Sequence, residues 1–347
     1  MHHQLNGLGW KPFFQTQLSL EEMEHSFPAR VAEVQRSHVV LWSERTDFTM
    51  DIALAAQHQA LAVGDWLLMF DDGARPNRTL ERYSLISRKA PGDRAEIQLI
   101  ASNIDTLFIV SSCNEDFNES RIERYLVLAK QAKVTPLVVL TKADLVDDVD
   151  DFLHAAEKLY PGVQVECLDT RNLEQLNAIR LWCATGQTVA LVGSSGVGKT
   201  TMINQLTGNR LKTAAIREDD AKGRHTTTSR SMHRLEDGGL LIDTPGMREI
   251  QLALAESGID EVFDDIRDLA QSCKFSDCKH DNEPGCAVVR ALKTGDVDER
   301  RWKNYKKLVS ENARHQQNLA EKRSRDRATG KLYKSIQKEK RQRDEWE

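Results

Sequence analysis

The sequence predicts a multidomain chain: a small all-β barrel or sandwich, then an α/β domain, then a mostly helical part built around a Cys/His cluster. Three observations carry this. Short β-prone runs separated by polar turns fill residues 29–99. Apolar strand-like runs then alternate with helical stretches as far as Ile242, the pattern of a mostly parallel sheet covered by helices. Beyond Gly258 the chain is polar and helical, interrupted by Cys273, Cys278, His280 and Cys286.

The chain has 347 residues, 40% hydrophobic and 29% charged, enough for two or three domains with their own cores. No apolar run approaches the ~18 residues that cross a bilayer. The N-terminus lacks the basic-then-apolar layout of a signal peptide, so the expectation is a cytoplasmic protein with no membrane partner. Six cysteines are too few for a disulfide scaffold, and clustering of three of them suggests a metal. The net charge of −5 hides an asymmetry: residues 300–347 carry +9 and residues 1–299 carry −14. A basic end of this kind either meets a polyanion or is a solvated helix.

In order along the chain, residues 1–28 read as an N-terminal extension and 29–100 as the β unit, with strands at Val31–Val34, Val39–Trp42, Phe48–Leu54, Val63–Phe70 and Leu85–Arg88. Residues 101–255 form the α/β domain. Its strands are expected at Thr106–Val110, Leu137–Leu140, Val163–Cys167, Thr188–Val192 and Leu240–Ile242. Its helices are expected near Ser120 and across Phe152–Leu159, Leu173–Trp182 and Thr201–Leu206. Ser120 and Glu123 have the spacing of a capping box. Residues 256–347 complete the chain as the Cys/His part with its basic helical tail.

The strongest chemical signal is Gly193-Ser194-Ser195-Gly196-Val197-Gly198-Lys199-Thr200, a complete Walker A pattern that follows an apolar strand and opens a helix at Thr201. Glycines let successive N–H groups face the phosphates, Lys199 reaches the β- and γ-phosphates, and the Thr200 hydroxyl ligates Mg²⁺. Asp243-Thr244-Pro245-Gly246 ends another apolar run. Alone it is an ordinary turn, but placed after Walker A it supplies Asp243 for the Mg²⁺ site and the Gly246 N–H for the γ-phosphate. Between them, Gly223-Arg224-His225-Thr226-Thr227-Thr228 offers threonines, Thr227 foremost, to complete the Mg²⁺ shell; three threonines also suit a plain polar strand.

Thr141-Lys142-Ala143-Asp144 follows the strand Leu137–Leu140 and matches the base-reading motif of GTP-binding proteins. The Asp144 carboxylate accepts from guanine N1–H and the exocyclic amine, a donor pair that adenine lacks, while the Lys142 stem packs over the base. In an ordinary GTPase this motif follows the phosphate motifs. Here it precedes them by about fifty residues, so the order is circularly permuted.

With these motifs and the cysteine cluster, the chain resembles the RsgA (YjeQ) family of small-subunit-dependent GTPases over nearly everything after residue 28. The resemblance implies a barrel of the OB type, a permuted P-loop GTPase domain and a C-terminal zinc domain. It implies late maturation of the small (30S) ribosomal subunit as the function, with GTP hydrolysed to GDP on the subunit, 16S rRNA as a partner and a monomeric protein. In one place the chain departs from the family. Cys167-Leu168-Asp169 stands where the family has a Ser-Ala-type loop behind the guanine, leaving Cys167 and Leu168 as the candidates for that contact.

Met247 occupies the position at which Ras-like enzymes carry the water-orienting glutamine. A thioether cannot orient water. The resemblance points to His225 as the catalytic group, against an exposed loop histidine, and to slow turnover without a partner; unassisted Ras-like catalysis is on the order of 10⁻⁴ s⁻¹. Cys273-x4-Cys278-x-His280-x5-Cys286 supplies three thiolates and one imidazole, a closed tetrahedral set for one structural Zn²⁺. Trp302 and Tyr305 among Lys303, Lys306 and Lys307 read equally as a helix packed on the zinc part and as an rRNA contact. Two rival readings remain at this level: a large-subunit assembly GTPase, and an RNA-binding module whose nucleotide serves only as a switch.

Overall fold

The computed structural model describes residues 2–57, 59–89, 97–208, 230–243, 256–314 and 316–317. Five N-terminal strands, β1 (Ser26–Val34), β2 (His38–Ser43), β3 (Phe48–Asp51), β4 (Trp66–Phe70) and β5 (Pro76–Thr79), pair antiparallel in the order β3-β2-β1-β4-β5. Strands β6 (Leu85–Lys89) and β7 (Ile97–Ser102) form a separate antiparallel pair. Side chains two apart share a face, so Phe27, Ala29 and Val31 of β1 meet Val39, Leu41, Leu67 and Met69 in one core. The opposite face of β4, Trp66 and Leu68, is covered by Leu5, Leu8 and Phe14, so part of the N-terminal extension is packed on the β unit.

Arg30 is the fixed point of this unit. It is fully buried, and its guanidinium donates to Leu8 O (2.6 Å), Gly64 O (3.3 Å) and Asn103 O (3.0 Å). Burial pushes its pKa down to about 10, which leaves it charged at neutral pH. One cation thus ties the N-terminal segment, the β unit and the entry to the α/β domain.

In that domain, β8 (Thr106–Ser112), β9 (Thr135–Thr141), β10 (Gln164–Leu168), β11 (Thr188–Gly193), β12 (Arg230–Arg234) and β13 (Leu240–Asp243) lie in the order β10-β9-β8-β11-β13-β12. All are parallel except β12, which runs antiparallel to β13. Both faces are buried, as a parallel sheet requires. Leu107, Ile109, Val138 and Ala190 face one core; Phe108, Val110, Leu137 and Val189 face the other. Beyond β12 the sheet continues into β1 through Glu33↔Ser231 and Val34↔Arg230, so the two units share one eleven-stranded sheet.

Helices α1 (Glu119–Gln131), α2 (Asp150–Glu157) and α3 (Lys199–Leu206) flank the sheet, and α4 (Glu256–Val262), α5 (Asp264–Gln271) and α6 (Ala287–Thr294) lead to the last described helix, over 299–314. Among the described residues no helix is long and apolar enough to cross a membrane.

Three local expectations are corrected. The strand expected to reach Leu54 stops at Asp51, whose side chain accepts from the Ala53 N–H (2.8 Å) and starts a helical turn. The helix expected across Leu173–Trp182 shrinks to Asn177–Arg180 plus a 3₁₀ turn, because Leu176 and Ile179 are buried while Leu173 and Leu181 face solvent. There is no capping box at Ser120. Asn118 caps α1 by accepting from the Arg121 N–H (2.9 Å), and the box that does form joins Ser19 and Glu22.

Glu123 is instead fully buried, accepting from Arg300 Nη1 (2.9 Å), Arg301 Nη1 (3.0 Å) and Asn304 Nδ2 (2.6 Å) of the last helix. Arg301 also donates to Asp265 Oδ1 (2.8 Å) and Val262 O (2.8 Å). Breaking a buried pair from one side strands its partners, at a cost of about 3–5 kcal/mol. Glu123→Ala is therefore expected to lower the urea midpoint and expose 299–314 to protease, with Glu123→Gln less affected. An unchanged midpoint and protease pattern would show that the cluster does not fasten this helix.

Candidate nucleotide site and metal centre

The phosphate-binding candidates sit where β11 ends and α3 begins. Gly193 (φ 149°) lies so close to β8 that a Cβ there would meet Val110 O at 2.2 Å. Gly196 and Gly198 take φ of 79° and 91°, a region costly for residues with a Cβ. Val197 points its side chain into the core and anchors the loop, leaving Ser194, Ser195 and Gly196 at its rim. The Lys199 ammonium donates to Gly193 O (2.9 Å) and to Ser194 O, so it lies across the cradle. Thr200 and Thr201 occupy the first turn of α3.

Asp243 ends β13, the strand beside β11, with Ile242 level with Ala190. It is thereby set at the same end of the sheet as Thr200. Carboxylate and hydroxyl oxygens are the hard donors that Mg²⁺ takes, so this pair fits the ion. His225, Thr227, Gly246 and Met247 lie outside the described residues.

On the other side of the cradle, β9 delivers the base-reading candidates. Thr141 is buried, with its hydroxyl 2.6 Å from Val197 O and 3.0 Å from Ser111 O, so it ties this loop to the phosphate loop. Lys142 takes φ 59°, and Asp144 lies in an exposed one-turn 3₁₀ helix with its side chain partly covered. Parallel pairing sets Leu168 of β10 level with Thr141. The Leu168 side chain is buried in the core, which leaves its backbone for any base contact, and Cys167 Sγ lies 3.7 Å from Cys113 Sγ.

Two arginines at this site carry no motif. Arg121, on the first turn of α1, donates to Ser194 Oγ of the phosphate loop. Arg171, three residues past β10, donates to Asp144 Oδ2 and, through Nε, to Asp169 Oδ1 (3.1 Å). The Arg171 N–H and guanidinium together hold Asp169 below the usual carboxylate range.

The cysteine cluster assembles as expected: the ligand atoms of Cys273, Cys278, His280 and Cys286 all lie within 4.8 Å of one another. Cys273 Sγ and Cys286 Sγ are 3.8 Å apart, and His280 Nδ1 is 3.4 Å from each. A tetrahedral ion with bonds of ~2.3 Å to sulfur and ~2.0 Å to nitrogen needs about 3.8 Å and 3.5 Å for these separations, so the set fits zinc. N–H groups of Ala287 and Val289 point at Cys273 Sγ and Cys286 Sγ (both 3.4 Å), as outer-shell donors to ligating sulfurs do. Trp302 is buried with its ring edge-on to His280 (5.9 Å), so this aromatic packs on the cluster; the basic tail beyond residue 317 lies outside the described residues.

Residues 79–253 match the family model described as RsgA GTPase. The chain is 48% identical over 98% of its length to Small ribosomal subunit biogenesis GTPase RsgA 2 of Vibrio parahaemolyticus, covering 94% of that protein. It is 45% identical to RsgA of Mesorhizobium japonicum, over 89% of this chain and 90% of that one. The chain belongs to the RsgA GTPase family. Its fold matches two solved structures, each at a TM-score of 0.59. YjeQ from Thermotoga maritima is 23% identical, with 83% of this chain and 99% of that one covered. YloQ, described as a circularly permuted GTPase, is 22% identical, with 85% and 98% covered. The strand order explains how this RsgA-family chain tolerates the permutation: β9 precedes β11 in sequence, but in the sheet only β8 lies between them and all three run parallel, so both motifs open at one end of the sheet.

The purified chain is expected to carry about one zinc per molecule by elemental analysis and to melt at lower temperature after chelation. Cys286→Ser is expected to lose the metal and the heat resistance together. Retention of full zinc by that variant would exclude Cys286 as a ligand.

Proposed function

We propose that this RsgA-family GTPase acts in late maturation of the small ribosomal subunit, docking in its GTP form, hydrolysing GTP there and leaving with GDP. The observation that carries the reading is the convergence of the phosphate cradle, Asp243 and Asp144 at one end of a sheet that runs on into the β unit. Relatives that bear this function in their names, at 48% identity over nearly the whole chain, support the partner.

In this reading Gly193 to Thr201 cradle the phosphates through backbone N–H groups, with Gly246 at the γ-phosphate, and Lys199 leaves its carbonyl partners to neutralise them. Thr200, Thr227 and Asp243 would hold Mg²⁺, and the bound ion would supply positive charge beside the phosphates. Thr141, Lys142 and Asp144 read guanine, backed by the Cys167-Leu168 segment. His225 positions the attacking water, the role that Met247 cannot fill. The zinc part is structural, the β unit and the basic tail meet 16S rRNA, and the protein works as a cytoplasmic monomer.

Because β12 directly follows residues 209–229, which include His225 and Thr227, and pairs with β1, a nucleotide-dependent change at its start would pull on the β unit. Steady-state GTP hydrolysis should be slow alone and rise strongly with purified small subunits, but not with large subunits or with ATP as substrate. Lys199→Ala should lose nucleotide binding, and His225→Ala should retain it while stimulated turnover falls on the order of 10²-fold. Equal stimulation by both subunits, or none by either, would refute the assignment of partner.

A further inference from the structure

The carboxylate assigned to reading the base already holds a guanidinium. Arg171 Nη2 donates to Asp144 Oδ2, while its Nε donates to Asp169 Oδ1 (3.1 Å) and Nη2 lies 3.4 Å from Asp169 Oδ2. The turn that presents it is closed on itself: the Arg171 N–H donates to Asp169 Oδ1 (2.9 Å) and the Asp169 N–H to Gln175 Oε1 (2.6 Å). The Arg171 side chain is 67% exposed, and among the described residues its guanidinium bonds are to the two carboxylates.

The chemistry of the pairing is specific. Guanine offers a carboxylate two near-parallel N–H donors, N1–H and the C2 amine, carried on one planar N–C–N unit. A guanidinium is that same unit with a positive charge. A site built to select guanine's donor face will therefore accept an arginine side chain. Guanine engages both Asp144 oxygens and Arg171 draws on one of them, Oδ2, so the base and the guanidinium compete for the same acceptor.

We propose that Arg171 is a built-in competitor for the base-reading carboxylate, occupying Asp144 between nucleotides and displaced when guanine arrives. It sets guanine-nucleotide affinity from the base side, without touching the phosphates. This rests on Asp144 being the base reader. An exposed ion pair contributes modestly, so its removal should tighten binding by about two- to fivefold. Competition at the base affects GDP and GTP by the same factor. Salt screens the pair, so the gain should shrink as ionic strength rises.

The test is equilibrium titration of the full chain with fluorescent N-methylanthraniloyl GDP and a non-hydrolysable GTP analogue carrying the same label, comparing wild type with Arg171→Ala. The same titration with labelled XDP compares Asp144→Asn with Asp144→Asn/Arg171→Ala. Expected are equal tightening for both guanine nucleotides, loss of that gain in high salt, a switch from guanine to xanthine in Asp144→Asn, and no further effect of Arg171→Ala on XDP. If Asp144→Asn switches base preference but Arg171→Ala leaves GDP binding unchanged or weaker, competition is refuted and Asp144 stands as the base reader. If Arg171→Ala tightens XDP binding to the Asp144→Asn chain equally, the effect does not run through Asp144 and the proposal is overturned. If Asp144→Asn keeps its guanine preference, the base-reading assignment fails and takes the competitor with it.

Discussion

The pairing of β1 with β12 is the constraint on which the arrangement depends. Two residue pairs, Glu33↔Ser231 and Val34↔Arg230, turn what would be two β systems into one. The joint is reinforced from both ends of β12. Arg230 Nη1 donates to Leu99 O of β7, and the Arg234 guanidinium lies 4.2 Å from the Trp42 ring and 3.2 Å from Asp47 Oδ1. Strand β1 itself is held by the buried Arg30, whose three carbonyl partners come from three separate segments. Backbone pairing joins the two strands directly, so a displacement of β12 would act on β1 without an intervening linker.

A second tie works from the opposite side of the domain. Glu123 and Arg124 of α1 are bound to the last helix, Arg124 through Glu311 (2.6 Å). Arg121, two residues before Glu123, touches the phosphate loop. One turn of α1 thus contacts both the nucleotide cradle and the helix whose Trp302 packs on the metal cluster. A buried charge cluster of this kind is stable only when complete, which makes it a sharp link between parts rather than a graded one.

What was legible in the sequence was what is encoded locally. The Walker A glycines must appear at fixed spacing because the backbone has to wrap a phosphate, and the four candidate metal ligands lie within fourteen residues. The β/α alternation was readable because both faces of a parallel sheet are apolar. Long-range pairings left no such trace. Ser120 and Glu123 have capping-box spacing, yet Glu123 is taken by arginines more than 170 residues away. Nothing in residues 2–25 announced that Leu5, Leu8 and Phe14 would cover Trp66. Arg121 and Arg171 look like ordinary surface charges, and only the fold sets them beside Ser194 and Asp144. The Leu173–Trp182 segment has helical apolar spacing, yet Leu173 and Leu181 face solvent while Leu176, Ile179 and Trp182 pack on the core.

The central claim is that the β unit senses the nucleotide through the shared sheet. Amide hydrogen exchange of the full chain, bound to GDP and to a non-hydrolysable GTP analogue, tests it most directly. The account predicts that protection changes together in Arg230–Arg234 and in the Ala29–Val34 part of β1, with β10 at the far edge unaffected. A change confined to the nucleotide loops, with β1 identical in both states, would contradict it.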